Sequence, residues 1–280
     1  MMRIDAHQHF WRYAAEAYPW IGDDMPALKR DRLPQDLKPE LDAAHIDGCI
    51  AVQARADEAE NAFLLELAAA HPWIVAVVGW IDLFAADASA RLDHWCAHPE
   101  FRGVRHLLQD DPDVVATLAD PRFNAGIDDI QRRRLVYDVL VRGSAQLAAA
   151  VPFCARHDRH WLVLDHLGKP VIDATIDPDW RKAIAALGAL PHVLCKLSGL
   201  VTELATPAID ADAIHRHLDV VLEAFGAERL MFGSDWPVCE LRADYAEVAA
   251  IVRDWAGRLS ANEQAQLWGG SAARCYGFTA

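Results

Sequence analysis

The sequence predicts a (β/α)8 barrel of the TIM type. Eight short runs rich in Val, Ile and Leu recur along the chain, separated by longer segments whose apolar residues fall at three- and four-residue spacing. This is the rhythm of repeated strand-then-helix units. Most of the runs are apolar without alternation, as parallel strands covered on both faces should be. The length of 280 residues suits one closed barrel, which typically takes about 250. An open doubly wound sheet is the competing arrangement, but no Gly-x-Gly-x-x-Gly turn follows the first run. One barrel domain is therefore expected across residues 1–280.

The expected strands cover residues 3–9, 49–54, 74–81, 103–107, 135–141, 161–166, 193–198 and 230–235. Helical spacing marks 59–70, 88–97, 145–156, 178–187 and 209–225, with two more helices, 245–259 and 261–275, after the last strand. Residues 10–39 break the rhythm: four prolines, two tryptophans and two tyrosines lie between the first strand and its helix. A loop this long is usually functional, and its aromatic content favours an ordered lid.

A composition of 53% hydrophobic and 24% charged residues is that of a globular protein. With 27 Lys and Arg against 41 Asp and Glu, the formal charge of −14 repels phosphate backbones and anionic lipid, so neither nucleic acid nor a membrane is an expected partner. The first residues enter a strand directly, with no leader pattern, and no run of about 18 apolar residues is available to span a bilayer. Six cysteines, at positions 49, 96, 154, 195, 239 and 275, form no Cys-x-x-Cys pair, which points to a reducing, cytoplasmic setting.

In a parallel barrel the reactive groups lie at the C-terminal ends of the strands. Five ends carry such groups: His7-Gln8-His9, Arg105-His106, Asp165-His166, Lys196-Leu197-Ser198 and Ser234-Asp235. His7 and His9, two apart on a strand, share a face and can meet one metal ion or one substrate oxygen. A second pair, His215 and His217, falls in an expected helix, where positions two apart diverge; a solvated helix surface accounts for it. Asp235 ends a buried apolar run and needs a partner for its charge. Trp236-Pro237 starts no helix for it to cap, which favours a catalytic or ligand role. His166 sits where Gly168 and Pro170 turn the chain, with a buried structural histidine as the plain alternative. Arg55, Arg105, Arg142 and Lys196 lie at or near strand ends, where each could hold a substrate oxygen or serve an ordinary ion pair. Among the cysteines only Cys195 stands beside a proposed site. Neither a Gly-x-Ser-x-Gly elbow nor a Walker loop is present.

Together these residues resemble the amidohydrolase superfamily. Five motifs in order look like its sugar-lactonase branch: Ile4-Asp5-Ala6-His7-Gln8-His9-Phe10-Trp11, Gly103-Val104-Arg105-His106, Leu164-Asp165-His166-Leu167-Gly168-Lys169-Pro170, Cys195-Lys196-Leu197-Ser198-Gly199-Leu200 and Phe232-Gly233-Ser234-Asp235-Trp236-Pro237. The likeness runs over nearly the whole chain. It implies a hydrolase that opens the ester of a sugar lactone, L-fucono-1,5-lactone or a related six-membered ring, to the free sugar acid. His7, His9, His166 and Asp235 would form the reaction centre, with Asp235 activating water. The same four would ligate at most one divalent ion, zinc, on which turnover need not depend. The fourth strand offers Arg105-His106 where other branches place a bridging lysine. No organic cofactor is expected. Substrate contacts are expected from Arg55, Arg105, Lys196, His106 and Trp236. Three further readings use the same barrel: a dicarboxylate lactonase of pyrone type, with Arg55 and Arg105 each clamping a carboxylate; a metal-dependent nonoxidative decarboxylase; and a barrel that binds a sugar acid without turnover.

Overall fold

Each apolar run buries both faces, and each becomes a strand of one parallel sheet. In the computed structural model, which describes residues 2–279, the strands are β1 (Ile4–Gln8), β2 (Gly48–Val52), β3 (Ile74–Gly79), β4 (Phe101–His106), β5 (Val136–Val139), β6 (Leu162–Leu164), β7 (Val193–Leu197) and β8 (Leu230–Phe232). They pair in sequence order. The sheet closes just beyond β8, where the Asp235 amide donates to the His7 carbonyl and the His9 amide to the Trp236 carbonyl, both at 2.8 Å. This is the expected (β/α)8 barrel.

Its helices are α1 (Pro34–Ala43), α2 (Glu58–Ala70), α3 (Ala88–Cys96), α4 (Val114–Ala119), α5 (Pro121–Arg132), α6 (Gly143–Arg156), α7 (Pro178–Gly188), α8 (Ala211–Phe225), α9 (Tyr245–Ala256), α10 (Ala261–Ala265) and α11 (Ser271–Tyr276). Among the described residues no helix is long and apolar enough to cross a membrane. Part of the acidic excess has a local use. Asp57, Asp113, Asp120, Asp177, Asp210 and Asp244 each accept a backbone N–H at the start of a helix, which satisfies an orphan donor and suits the helix dipole.

Four expectations need correction. The first loop ends at residue 33 rather than 39, because Pro34 opens α1 with the missing N–H that costs nothing there, and Asp36 reaches back to the Leu33 amide at 2.9 Å. The stretch after β4, given no helix from its spacing, forms α4 and α5, with Phe123, Ile127 and Ile130 buried at helical spacing on α5. The sixth and eighth strands stop at Leu164 and Phe232, short of 166 and 235, where His166 and Asp235 take left-handed backbone. The final helix breaks into α10 and α11 across a wider turn, Gln266–Gly270, where paired glycines weaken it.

The core has two concentric parts. Alternate strand residues such as Val104, Tyr137, Cys195 and Phe232 pack outward against the helices, while Ile50, Val52, Val78, Val136, Val163, Leu194 and Met231 fill the barrel. Ala272, Cys275 and Tyr276 of α11 join that inner layer. The loop between β1 and α1 has its own small core of Trp11, Tyr18, Ile21, Leu28 and Ala54, so the expected lid is ordered.

Candidate active site

Side chains on a strand alternate between faces, so the residue two positions beyond an inward apolar one also points inward. On four adjacent strands that residue is charged: Arg105 follows Gly103, Asp138 follows Val136, Asp165 follows Val163 and Lys196 follows Leu194. All four are buried, and buried charge is tolerable only when paired. Lys196 Nζ bonds Asp138 and lies 3.1 Å from Asp165 Oδ1. Arg105 Nη1 is 3.2 Å from Asp165 Oδ2, and its Nη2 donates to the Gln53 carbonyl. From below, the Tyr276 hydroxyl donates to Asp138 at 2.8 Å.

On β1 one extra residue lies between Asp5 and Gln8 relative to β2, a bulge that resets the alternation. Ala6 belongs to the inner apolar layer, yet His7 after it also faces inward, 3.3 Å from Asp165 Oδ1. Arg105 Nη1, which can only donate, is 3.2 Å from His7 Nε2. Lys196 Nζ, likewise only a donor, is 3.2 Å from Nδ1, so a cation stands beside each ring nitrogen of His7. His9 is fixed by a carbonyl, which only accepts: its Nδ1 donates to the Val52 carbonyl at 2.8 Å, leaving the Nε2 lone pair toward Asp235 Oδ1 at 3.4 Å. Burial lowers the pKa of both imidazoles, so both are neutral near pH 7.

His166 and Asp235 reach the same point through backbone with φ of 53° and 60°, the left-handed region that ordinary residues seldom occupy. Close packing holds these turns. A Cβ on Gly199 would come within 2.8 Å of His166 Nδ1, and one on Gly233 within 2.7 Å of His7 Cβ. His166 Nδ1 pairs with Ser198 Oγ at 2.9 Å. Beneath Asp235, Asp5 accepts from the Ser234 amide and hydroxyl at 2.9 and 2.5 Å and from Tyr245 at 3.1 Å, which ties the turn to β1 and α9. Burial works against the Asp235 charge, but the fields of His166 and Lys169 outweigh it and hold the carboxyl below the usual range.

His7, His9 and Asp235 could hold one metal ion. Their chemistry fits: two neutral imidazoles and a carboxylate are the nitrogen and oxygen donors that zinc takes, and the His9 lone pair aimed at Asp235 Oδ1 suits only a cation or a proton between them. A second trio, His7, Asp165 and His166, is already served, because Lys196 Nζ at 3.1 Å and Arg105 Nη1 at 3.2 Å neutralise Asp165.

Above this floor opens a cavity of about 430 Å³, within the range of small-molecule sites. His9, Arg105, His166 and Asp235 line it, as does Arg142. Four expected contacts are not brought to its lining. His106 follows inward Arg105 and so points outward, packed on Phe123 with centroids 5.3 Å apart, where burial pushes its pKa down to about 4. Lys196 lies beneath the floor, Trp236 packs on Phe10 and donates to Glu240 at 2.9 Å, and Arg55 turns to Asp57 at 3.4 Å. Cys195 faces the helices rather than the site. His217 is buried against Trp180, not solvated, although it stays outside the barrel. Sequence reasoning missed Lys169 and Glu203, which line the cavity together with Trp20 of the first loop, and it missed Asp138 and Asp165 as the partners of Lys196. Period-two counting from Val136 and Val163 is the signal that reaches the last two.

The barrel and the His-His-Asp trio at its mouth define a hydrolase-type barrel able to work with one divalent ion. The chain belongs to the amidohydrolase family, whose model matches residues 4–278. An L-fucono-1,5-lactonase of Burkholderia multivorans is 53% identical over 98% of this chain and 96% of its own. An L-fucono-1,5-lactonase of Burkholderia ambifaria is 36% identical over 98% and 95%. A crystal structure of an amidohydrolase from Burkholderia multivorans with bound zinc superposes with a TM-score of 0.95 at 53% identity, covering 100% of both chains.

Proposed function

We propose that this protein hydrolyses the ester of a six-membered sugar lactone of the L-fucono-1,5-lactone type, with Asp235 as the base. The observation that carries the reading is an ionised Asp235, 3.4 Å from His9, on the floor of a cavity that also presents Arg105, Arg142 and Lys169. The two related L-fucono-1,5-lactonases support the substrate class.

A water held between Asp235 and His9 gives its proton to Asp235 as its oxygen adds to the acyl carbon. The carbonyl oxygen gains negative charge, and the Arg105 guanidinium and Lys169 ammonium face it as fixed cations. Collapse breaks the bond to the ring oxygen, Asp235 returns the proton to the leaving alkoxide, and the product acid ionises to solvent. His166, held by Ser198, fixes the side of the cavity against which the acyl group rests. His7, His9 and Asp235 would hold zinc, an ion that the related Burkholderia multivorans structure contains, and that ion would supply Lewis-acid polarisation when bound. Arg105 places a resident positive charge 3.2 Å from His7 Nε2, which supports turnover that does not depend wholly on the ion.

The dicarboxylate reading loses a clamp, since Arg55 does not line the cavity. The six free thiols fit the cytoplasm as the working compartment. A pH-indicator screen of aldonolactones, run on metal-stripped and zinc-supplemented protein, tests the reading. Acid release from six-membered lactones is expected in both samples, and silence across the panel overturns it.

A further inference from the structure

The cavity is chemically two-sided, and the division follows the barrel. On the arc from β8 to β2, Trp20 and Met25 of the lid loop stand beside Val238 and Leu241 from the turn after β8. All four pack on the lid core of Trp11, Tyr18, Ile21 and Leu28, so they form a continuous apolar surface. The indole N–H of Trp20 is used up on the Ala54 carbonyl at 2.9 Å, which leaves that side chain nothing polar to offer a ligand. The polar groups on this arc, His9 and Asp235, belong to the reaction centre. On the opposite arc, from β4 to β7, Arg105, Gln109, Arg142, Lys169 and Glu203 reach the cavity. Leu107 and Leu140 are there too, but they alternate with cations, so a hydroxyl on that side finds a partner.

We propose that Trp20, Met25, Val238 and Leu241 form a methyl-binding wall that selects lactones whose exocyclic carbon carries no hydroxyl, while the ring hydroxyls turn to the β4–β7 arc. This rests on the lactonase reading and deepens it to a substrate class, the 6-deoxy sugar lactones. A hydroxymethyl group pressed on the wall would give up its water without gaining a hydrogen bond. Apolar sites reject an added hydroxyl by about 100-fold at most, which sets the scale of the effect.

The test compares L-fucono-1,5-lactone with L-galactono-1,5-lactone, which differ only by a hydroxyl on the exocyclic carbon. The wild-type protein is expected to favour the first by about 10- to 100-fold in kcat/KM. Val238→Thr places a hydroxyl in the wall at nearly constant volume and is expected to narrow that ratio several-fold, chiefly by raising kcat/KM for L-galactono-1,5-lactone. A wild-type ratio within about threefold of unity, or a Val238→Thr variant that changes both substrates equally, overturns the proposal. Binding of the two product acids, L-fuconate and L-galactonate, is measured in parallel by calorimetry. If neither lactone is opened, the lactonase reading fails, and the two binding constants still decide the wall: a preference for L-fuconate that Val238→Thr erodes supports it, and equal affinities sink it.

Discussion

Inside the barrel, Val136, Val163 and Leu194 form one layer, and Asp138, Asp165 and Lys196 form the next, two residues further along the same three strands. Both layers are buried, yet they hold together for different reasons. The apolar layer gains from leaving water and tolerates exchanges that keep volume. The charged layer is stable only because every charge meets its opposite, so losing one member strands another. The base of the barrel is closed by Tyr276 and its neighbours on α11, whereas the mouth is left open under a lid, and chemistry is confined to the layer that faces it.

The largest effect is expected at the mouth itself. Asp235→Asn should lower kcat by about 10²–10⁴-fold with an unchanged melting temperature, since Asn tolerates the left-handed backbone; near-normal turnover would remove Asp235 from the chemistry. One layer down, Lys196→Met leaves Asp138 and Asp165 underpaired and should cost about 3–5 kcal/mol in urea unfolding, with loss of activity in the protein that remains folded. Leu194→Ala, two residues earlier on the same strand, should cost about 2–5 kcal/mol while kcat/KM per folded molecule stays near normal. If Leu194→Ala instead impaired catalysis as Lys196→Met does, the two layers would not be separable.

A further effect, read against pH and with at most about 1.4 kcal/mol per unit to show at any one step, lies at the rim. Glu60 accepts from the Ala54 and Arg55 amides at 2.8 and 3.0 Å and from the lid residue Tyr18 at 3.1 Å, and burial raises its pKa from 4.5 to about 7. The unfolded chain gives up this proton near 4.5 while the native state keeps it to about 7, so stability should fall as pH rises across that window and level off above it. Urea midpoints between pH 5 and 8 measure that slope, and a Glu60→Gln variant with the same pH slope as wild type would refute the assignment.

Much of the site was legible because it depends on local order. His7, His9, His166 and Asp235 stand at the ends of strands that the apolar runs announce, and any closed parallel barrel brings those ends to one rim. His106 was misjudged for a reason also present in the sequence: Arg105 and His106 are adjacent on a strand, so they cannot both face the cavity. The bulge between Asp5 and Gln8 was not legible, since nothing in the composition of β1 marks where an extra residue is absorbed, and it decides that both Ala6 and His7 face inward.

The sequence by itself determined the strand–helix rhythm, the eightfold count and the residues at the strand ends, because hydrophobic periodicity and strand position are properties of neighbouring residues. Only the tertiary structure decided that Lys196 is a buried counter-ion instead of a substrate contact. It likewise decided that Trp20 and Met25 meet Val238 and Leu241, and that Tyr276 reaches Asp138 from the far end of the chain. Those outcomes depend on which strands become neighbours when the sheet closes, and on the need of every buried charge for a partner that spacing along the chain does not reveal.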